Sequence, residues 1–191
     1  MTEPEFAVVV RQARPDDVRA IEEADLVARV DRARRRFIRH SVAEGAAYVA
    51  VVGGGAAGAV ATGGAASGGV GATGSEAAAT EGPVVGYLVL EHGFFGRGFI
   101  SMLAVHPDHR RAGVATALVH HAERACRSDR LFTSTNQSNL VMQALLDRLG
   151  YVRSGIVDHL DPGDPELIYS RLLPGRRASG DGSGGAVRGG G

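Results

Sequence analysis

The chain has 191 residues, enough for one domain with a substantial core and some appended chain. Its 21 basic residues, every one an arginine, balance 21 acidic ones, so no overall field favours nucleic acid or a membrane surface. Without lysine, Schiff-base catalysis and a P-loop lysine are excluded, and the lone Cys126 excludes an internal disulfide or a multi-cysteine metal site.

A single cysteine fits a reducing, cytoplasmic compartment. The opening stretch MTEPEFAVVV lacks the basic and long apolar regions of a signal peptide. Residues 45–75 are uncharged but mostly Ala and Gly, with too little transfer energy for a membrane span.

In chain order, residues 6–11 (FAVVVR) predict a first strand. Pro15-Asp16-Asp17 opens a helix with Val18, Ile21, Ala24 and Leu26 on its buried face. A second helix is expected over 28–43. Its arginines, from Arg32 to Arg39, read as a solvated face or as a surface for an acidic acceptor. Residues 46–52 form a strand. From Gly53 to Gly82 large side chains are almost absent, so 53–82 reads as a flexible Ala/Gly-rich insertion. Residues 84–91 resume as a strand, His92 to Gly98 read as a hairpin turn, and 99–105 form a central strand apolar on both faces. A polar loop, 106–112, precedes a helix from Gly113 to about Arg127, whose inward face is Val114, Ala117, Leu118, His121, Ala122 and Ala125. A strand at 131–135, a helix at 139–149 ended by Gly150, and strands at 151–158 and 166–173 complete one domain over 6–173. The tail from Pro174 reads as frayed.

The stretch Val105 to Leu118 carries the chemistry. A strand enters a short loop with Arg110 and Arg111, then Ala112, Gly113, Val114, Ala115 and Thr116 open a helix. The first amides of a helix lack intrahelical acceptors and sit at the positive end of its dipole, which suits a phosphate. Glycine lets the phosphate approach, and the arginines add charge-assisted donors. A strand–helix junction with two solvated arginines is the alternative reading of these residues alone.

Arg110-x-x-Gly113-x-Ala115, after Val105 and Pro107, resembles the acetyl-CoA-binding motif of the GNAT N-acetyltransferase superfamily. Asn139, Leu145, Gly150 and Tyr151 follow at the family's spacing, and two helices follow the first strand. The resemblance covers about 6–173 apart from the insertion. It implies an α/β (α+β) fold: a mixed, mostly antiparallel six- to seven-stranded sheet, a central parallel splayed pair (99–105 and 131–135) and flanking helices. It also implies acetyl-CoA in a V-shaped opening, with its diphosphate on the Arg111–Thr116 backbone. The pantetheine would pair with the backbone of Leu103 and Val105, with Asn139, or Asn136, near the cofactor arm.

The activity implied is direct attack of an amine on the thioester, with no acyl-enzyme. An oxyanion donor is needed near Leu103 or Ala104. Glu91 and His92 are candidate bases, and Ser101 could hold a water. Many relatives place an acidic tyrosine where this chain has Leu146, so Tyr151 or Tyr169 would substitute, or the thiolate leaves unaided. The acceptor is a small-molecule or peptide amine of open identity. Dimerisation is common in such proteins, but no residue here supports it. A catalytically silent acyl-CoA-binding module is the second reading.

Other patterns are weaker. Gly53-x-Gly55-x-x-Gly58 imitates a dinucleotide fingerprint but lacks a following helix, so an oxidoreductase is disfavoured. His106, Asp108 and His109, and His120, His121, Glu123 and Cys126, lack a zinc-site spacing, so no metal is expected. Cys126 reads as a structural thiol. The segment Asp161-Pro-Gly-Asp164-Pro-Glu166 has the chemistry of a turn, or of an acidic lure for a cationic amine.

Overall fold

A computed structural model describes residues 7–53 and 82–175. Of the expected insertion at 53–82, Gly53 instead ends a strand, and 54–81 lie outside the described residues, as does the tail beyond Gly175. The strands are β1 (Ala7–Gln12), β2 (Ala47–Gly53), β3 (Val84–Phe94), β4 (Arg97–Val105), β5 (Arg130–Asn136), β6 (Val152–Val157) and β7 (Glu166–Leu172). The helices are α1 (Val18–Ala24), α2 (Arg32–Ala43), α3 (Val114–Ala125) and α4 (Leu140–Arg148). Hydrogen bonding orders the strands β1-β2-β3-β4-β5-β7-β6, with β4 and β5 parallel. The expected mixed, mostly antiparallel sheet is present with seven strands, and β4 is its central strand. Contacts divide the chain into two compact units.

The first unit holds residues up to Leu90 together with Met102–Ala122. Here β1 and β2 pair antiparallel, as do β2 and β3, with Val49 facing both Arg11 and Tyr87 in register. The Asp17 carboxylate forks onto the Arg11 guanidinium at 2.6 and 2.8 Å and also accepts the Arg14 amide. Those bonds hold its pKa below the ordinary carboxylate value against the opposing effect of burial. Ile21, Ile38, Val49, Val51, Tyr87 and Val89 form the core, and Met102 and Ala104 pack against it. Burying such β-branched and aromatic side chains is worth about 1.5–3 kcal/mol each.

Two expectations change in this unit. Leu26, read as buried, is 46% exposed, and α2 starts at Arg32 rather than 28. The reason is local capping. Asp25 accepts the Val27 and Ala28 amides, and Asp31 accepts the Ala33 amide at 2.7 Å, so residues 25–31 form a turn.

The second unit holds Glu91–Ser101 and the chain from Glu123. β3 runs on to Phe94, so the expected seven-residue turn shrinks to Phe95-Gly96, both with positive φ. β5 pairs with β7 along its whole length, and β7 with β6 across a bulge near Arg153. Asn139 caps α4, and Gly150 ends it at φ +77°, as its sequence position suggested. β6 is exposed throughout.

Candidate active site

The loop between β4 and α3 lies in the first unit. The His106 amide bonds the Val85 carbonyl at 2.8 Å, and a 3-10 turn over Pro107–His109 follows. The His106 ring accepts the Asp108 amide at 3.3 Å. Arg111 then takes φ +60° and Gly113 φ +78°, with Ala112 between them in the ordinary half of φ space. Alternating signs of φ turn successive amides toward one concavity, a backbone geometry that suits anions. The left-handed form at Arg111 costs an L-residue about 1–2 kcal/mol.

The first helical bond of α3 runs from the Ala117 amide to the Gly113 carbonyl at 2.9 Å. The amides of Val114, Ala115 and Thr116 therefore precede any intrahelical partner, and Gly113 has no side chain to cap them. A Cβ placed on Gly113 would meet nothing within 4 Å. Glycine is thus required by its φ, and the space above the amides stays open. Arg110 and Arg111 are exposed and unpaired among the described residues.

Gly86 on β3, which the sequence reading missed, sets where α3 begins. A Cβ there would stand 2.9 Å from the Ala104 carbonyl oxygen, 3.1 Å from Val114 and 3.4 Å from Leu118. Only a bare backbone lets β4 and α3 come so close. Leu103, Ala104 and Val105 are half-buried. The β4–β5 register covers only Gly98–Ile100 with Leu131–Thr133, although β4 runs on to Val105 and β5 to Asn136. At its last pair the Thr133 hydroxyl donates to the Ile100 carbonyl at 3.1 Å. Next along, the buried Ser101 hydroxyl has no partner among the described residues.

A second cluster in the first unit was also missed. The Tyr87 hydroxyl donates to Asp25 at 2.6 Å, and burial with this carboxylate drives its pKa strongly up. Arg34 lies 3.6 Å from Asp25 and contacts the Met102 sulfur. Arg35 binds the Ala28 and Arg29 carbonyls, and Arg39 pairs with Glu22. The arginine face of α2 is therefore partly a clamp on the 25–31 turn. The required partners are too remote in sequence for periodicity to reveal.

The remaining candidates lie in the second unit. Glu91 is exposed. His92 accepts the Arg127 amide at 3.1 Å, and burial together with the Arg127 charge lowers its pKa. Tyr151 is 3% exposed and sits beside Glu123 and Arg171. Burial first, then the Glu123 charge, raises its pKa strongly. Leu146, at the position of the missing tyrosine, is fully buried core. The Asn139 oxygen accepts the Met142 amide at 3.1 Å, and the Asn136 side chain donates to Asp161 at 2.8 Å. Asp164 accepts both the amide and hydroxyl of Ser138, so these two carboxylates brace a loop. Cys126 is buried beside Ser128, whereas His121, in the first unit, packs on Tyr48.

The strand order, with one parallel central pair, and the loop opening α3 define a mixed-sheet protein of the acetyltransferase fold. Residues 67–151 match the model of the Acetyltransferase (GNAT) family. Among solved structures, a GNAT-family acetyltransferase from Bacillus cereus is 28% identical, aligned over 87% of this chain and 97% of its own, with TM-score 0.66. Ard1 from Thermoplasma volcanium is 16% identical over 87% and 98%, with TM-score 0.64. The ribosomal-protein-S18-alanine N-acetyltransferase from Escherichia coli is 14% identical over 92% and 98%, with TM-score 0.60. At such identity these last two share the fold alone. No curated protein sequence gives a significant match. Among the described residues no helix is long and apolar enough to cross a membrane.

Proposed function

We propose that the chain is an N-acetyltransferase that moves the acetyl group of acetyl-CoA to a primary amine. The observation that carries this reading is the loop at 110–116, where two left-handed residues precede three free helix amides under an open approach. Acetyl-CoA supplies an activated thioester when bound. The amides of Ala112 to Thr116 hold its diphosphate, with Arg110 and Arg111 as charged donors. The backbone of Leu103, Ala104 and Val105, beyond the last β4–β5 pair, takes the pantetheine arm as an added strand. An amide of the same strand stabilises the oxyanion.

The amine nitrogen bonds to the carbonyl carbon as the carbon–sulfur bond breaks, giving an acetamide and a free thiol. One proton leaves the amine and one reaches the sulfur. The His92 ring already accepts the Arg127 amide, so the exposed Glu91 is taken as the acceptor of the first proton. The Ser101 hydroxyl, buried and without a partner among the described residues, holds the water that relays it. Asn136 and Asn139 spend their side chains on Asp161 and on the α4 cap, so their part in cofactor binding is the smaller one.

The test is thiol release from acetyl-CoA across an amine library, with calorimetry of acetyl-CoA binding to wild type and Arg110→Ala. Turnover on at least one amine, with cofactor binding lost in the variant, supports the reading. Binding without turnover on any amine returns the silent acyl-CoA module, and no binding at all ends both.

A further inference from the structure

The second unit contains a groove of about 510 Å³ that the acetyltransferase reading does not use. Its volume falls within the range of small-molecule pockets, about 300–1,000 Å³. Three phenylalanines form its wall: Phe94 stands 5.2 Å from Phe132 and 5.0 Å, edge-on, from Phe95, and Ile156 and Ile168 continue the apolar surface. Arg97 and Arg130 also line it, and no lining residue carries a carboxyl group. Arg97 is paired with Asp129. Among the described residues the Arg130 guanidinium reaches only the Ser170 hydroxyl, at 3.5 Å, and so brings a charge with no carboxylate partner there to an apolar groove.

The hairpin adds an independent observation. Phe95 and Gly96 are the central residues of a two-residue turn, at φ +50° and +71°. Asn, Asp or Gly relieve such positions, whereas a bulky side chain is strained there. Phe95 gains no burial in return, being 89% exposed. A strained, solvent-facing ring at the rim of an aromatic groove is what a ligand-contacting residue looks like.

We propose that this groove binds a small apolar carboxylate, an aromatic acid being the best fit. The apolar body lies against Phe94, Phe95 and Phe132, and the carboxylate meets the Arg130 guanidinium in a charge-assisted bond. Every lining residue belongs to the second unit, whereas the cofactor loop belongs to the first. The proposal therefore stands whether or not the chain acetylates amines.

The experiment titrates the protein with 3-phenylpropionate, its amide and 3-phenylpropylamine, followed by backbone-amide NMR. The acid should bind at least about tenfold tighter than the amide, and the amine weakest, as a single charge-assisted contact implies. Shifts should fall on 94–97, 130–132 and 154–156. Arg130→Gln should erase the preference of acid over amide while leaving the melting temperature near wild type. Phe95→Asn should raise the melting temperature, because the turn prefers Asn, and weaken all three ligands. Equal binding of acid and amide, preference for the amine, or shifts confined to 110–116 would overturn the proposal. So would a Phe95→Asn protein that binds as wild type does.

Discussion

Gly86→Ala tests whether the start of α3 is set by the bare backbone of β3. The added Cβ would sit 2.9 Å from the Ala104 carbonyl oxygen, where a comfortable carbon–oxygen contact needs about 3.4 Å. Leu118, at 3.4 Å, absorbs its share by a small rotation. Val114, at 3.1 Å, is buried and stiff at χ1, so the helix itself must move. Overpacking against backbone costs about 2–3 kcal/mol, which for a chain of this size lowers the melting temperature by about 4–12 °C. The same displacement, a few tenths of an ångström at the first amides of α3, should weaken acetyl-CoA about three- to tenfold, since misplacement by 1 Å can cost about a hundredfold. Thermal melts and calorimetry measure the two effects. Gly93→Ala on the same strand is the control, because a Cβ there meets nothing within 4 Å. If Gly86→Ala melts within a degree of wild type, the close approach is not there. If it melts early but binds acetyl-CoA unchanged, the opening of α3 does not carry the diphosphate.

Three further outcomes are expected. Gly113→Ala should cost only the strain of φ +78°, about 1–2 kcal/mol, because its Cβ meets no protein atom, yet it should weaken acetyl-CoA more than Gly86→Ala does; melts and calorimetry on both variants compare them. The native pKa of His92 lies below its unfolded value near 6.5, so the unfolded chain binds the extra proton between the two and stability falls as pH drops through that window. Melting from pH 7.5 to 5 should show this slope, reduced in His92→Gln; an unchanged slope would sink the assignment. Asp17 has the lowered pKa of a paired carboxylate, so its stabilisation is full above about pH 4 and is lost as pH falls through the native value. Asp17→Asn should therefore destabilise by roughly 2–3 kcal/mol at pH 7, the lower end for a pair that keeps some solvent contact, and the gap to wild type should close in acid.

What the sequence made legible was whatever the local backbone demands. Arg110-x-x-Gly113-x-Ala115 is readable because a strand, a tight turn and a helix start each restrict residue type over a few positions. Gly150 as a helix stop and the apolar run that makes β4 central follow from the same kind of constraint. Leu26 and the start of α2 misread because periodicity ignores capping, and Asp25 and Asp31 cap from the side chain. The contact of Asp25 with Tyr87 spans 62 residues, and that of Arg34 with Met102 spans 68, so nothing in a local window announces either. His92 was visible as a titratable turn residue, but its partner, the Arg127 amide, lies 35 residues on. Phe95 was visible as a turn aromatic, whereas the sign of its φ was not.

The loop proposed to hold the cofactor illustrates how much of a site is made by residues that never touch a ligand. The free amides of Val114 to Thr116 exist because α3 begins where it does, and it begins there because Val114 and Leu118 are buried under a glycine of β3. Had Gly86 carried a methyl group, the same motif would stand on a displaced helix. The positive φ at Arg111 follows from the same geometry. The chain must turn sharply between the end of β4, held by the His106–Val85 bond, and the fixed start of α3. The three-residue span from Arg111 to Gly113 does this by entering the left-handed region twice. Strain at Arg111 is thus the structural consequence of docking α3 closely, and the docking of α3 is what aims its amides outward.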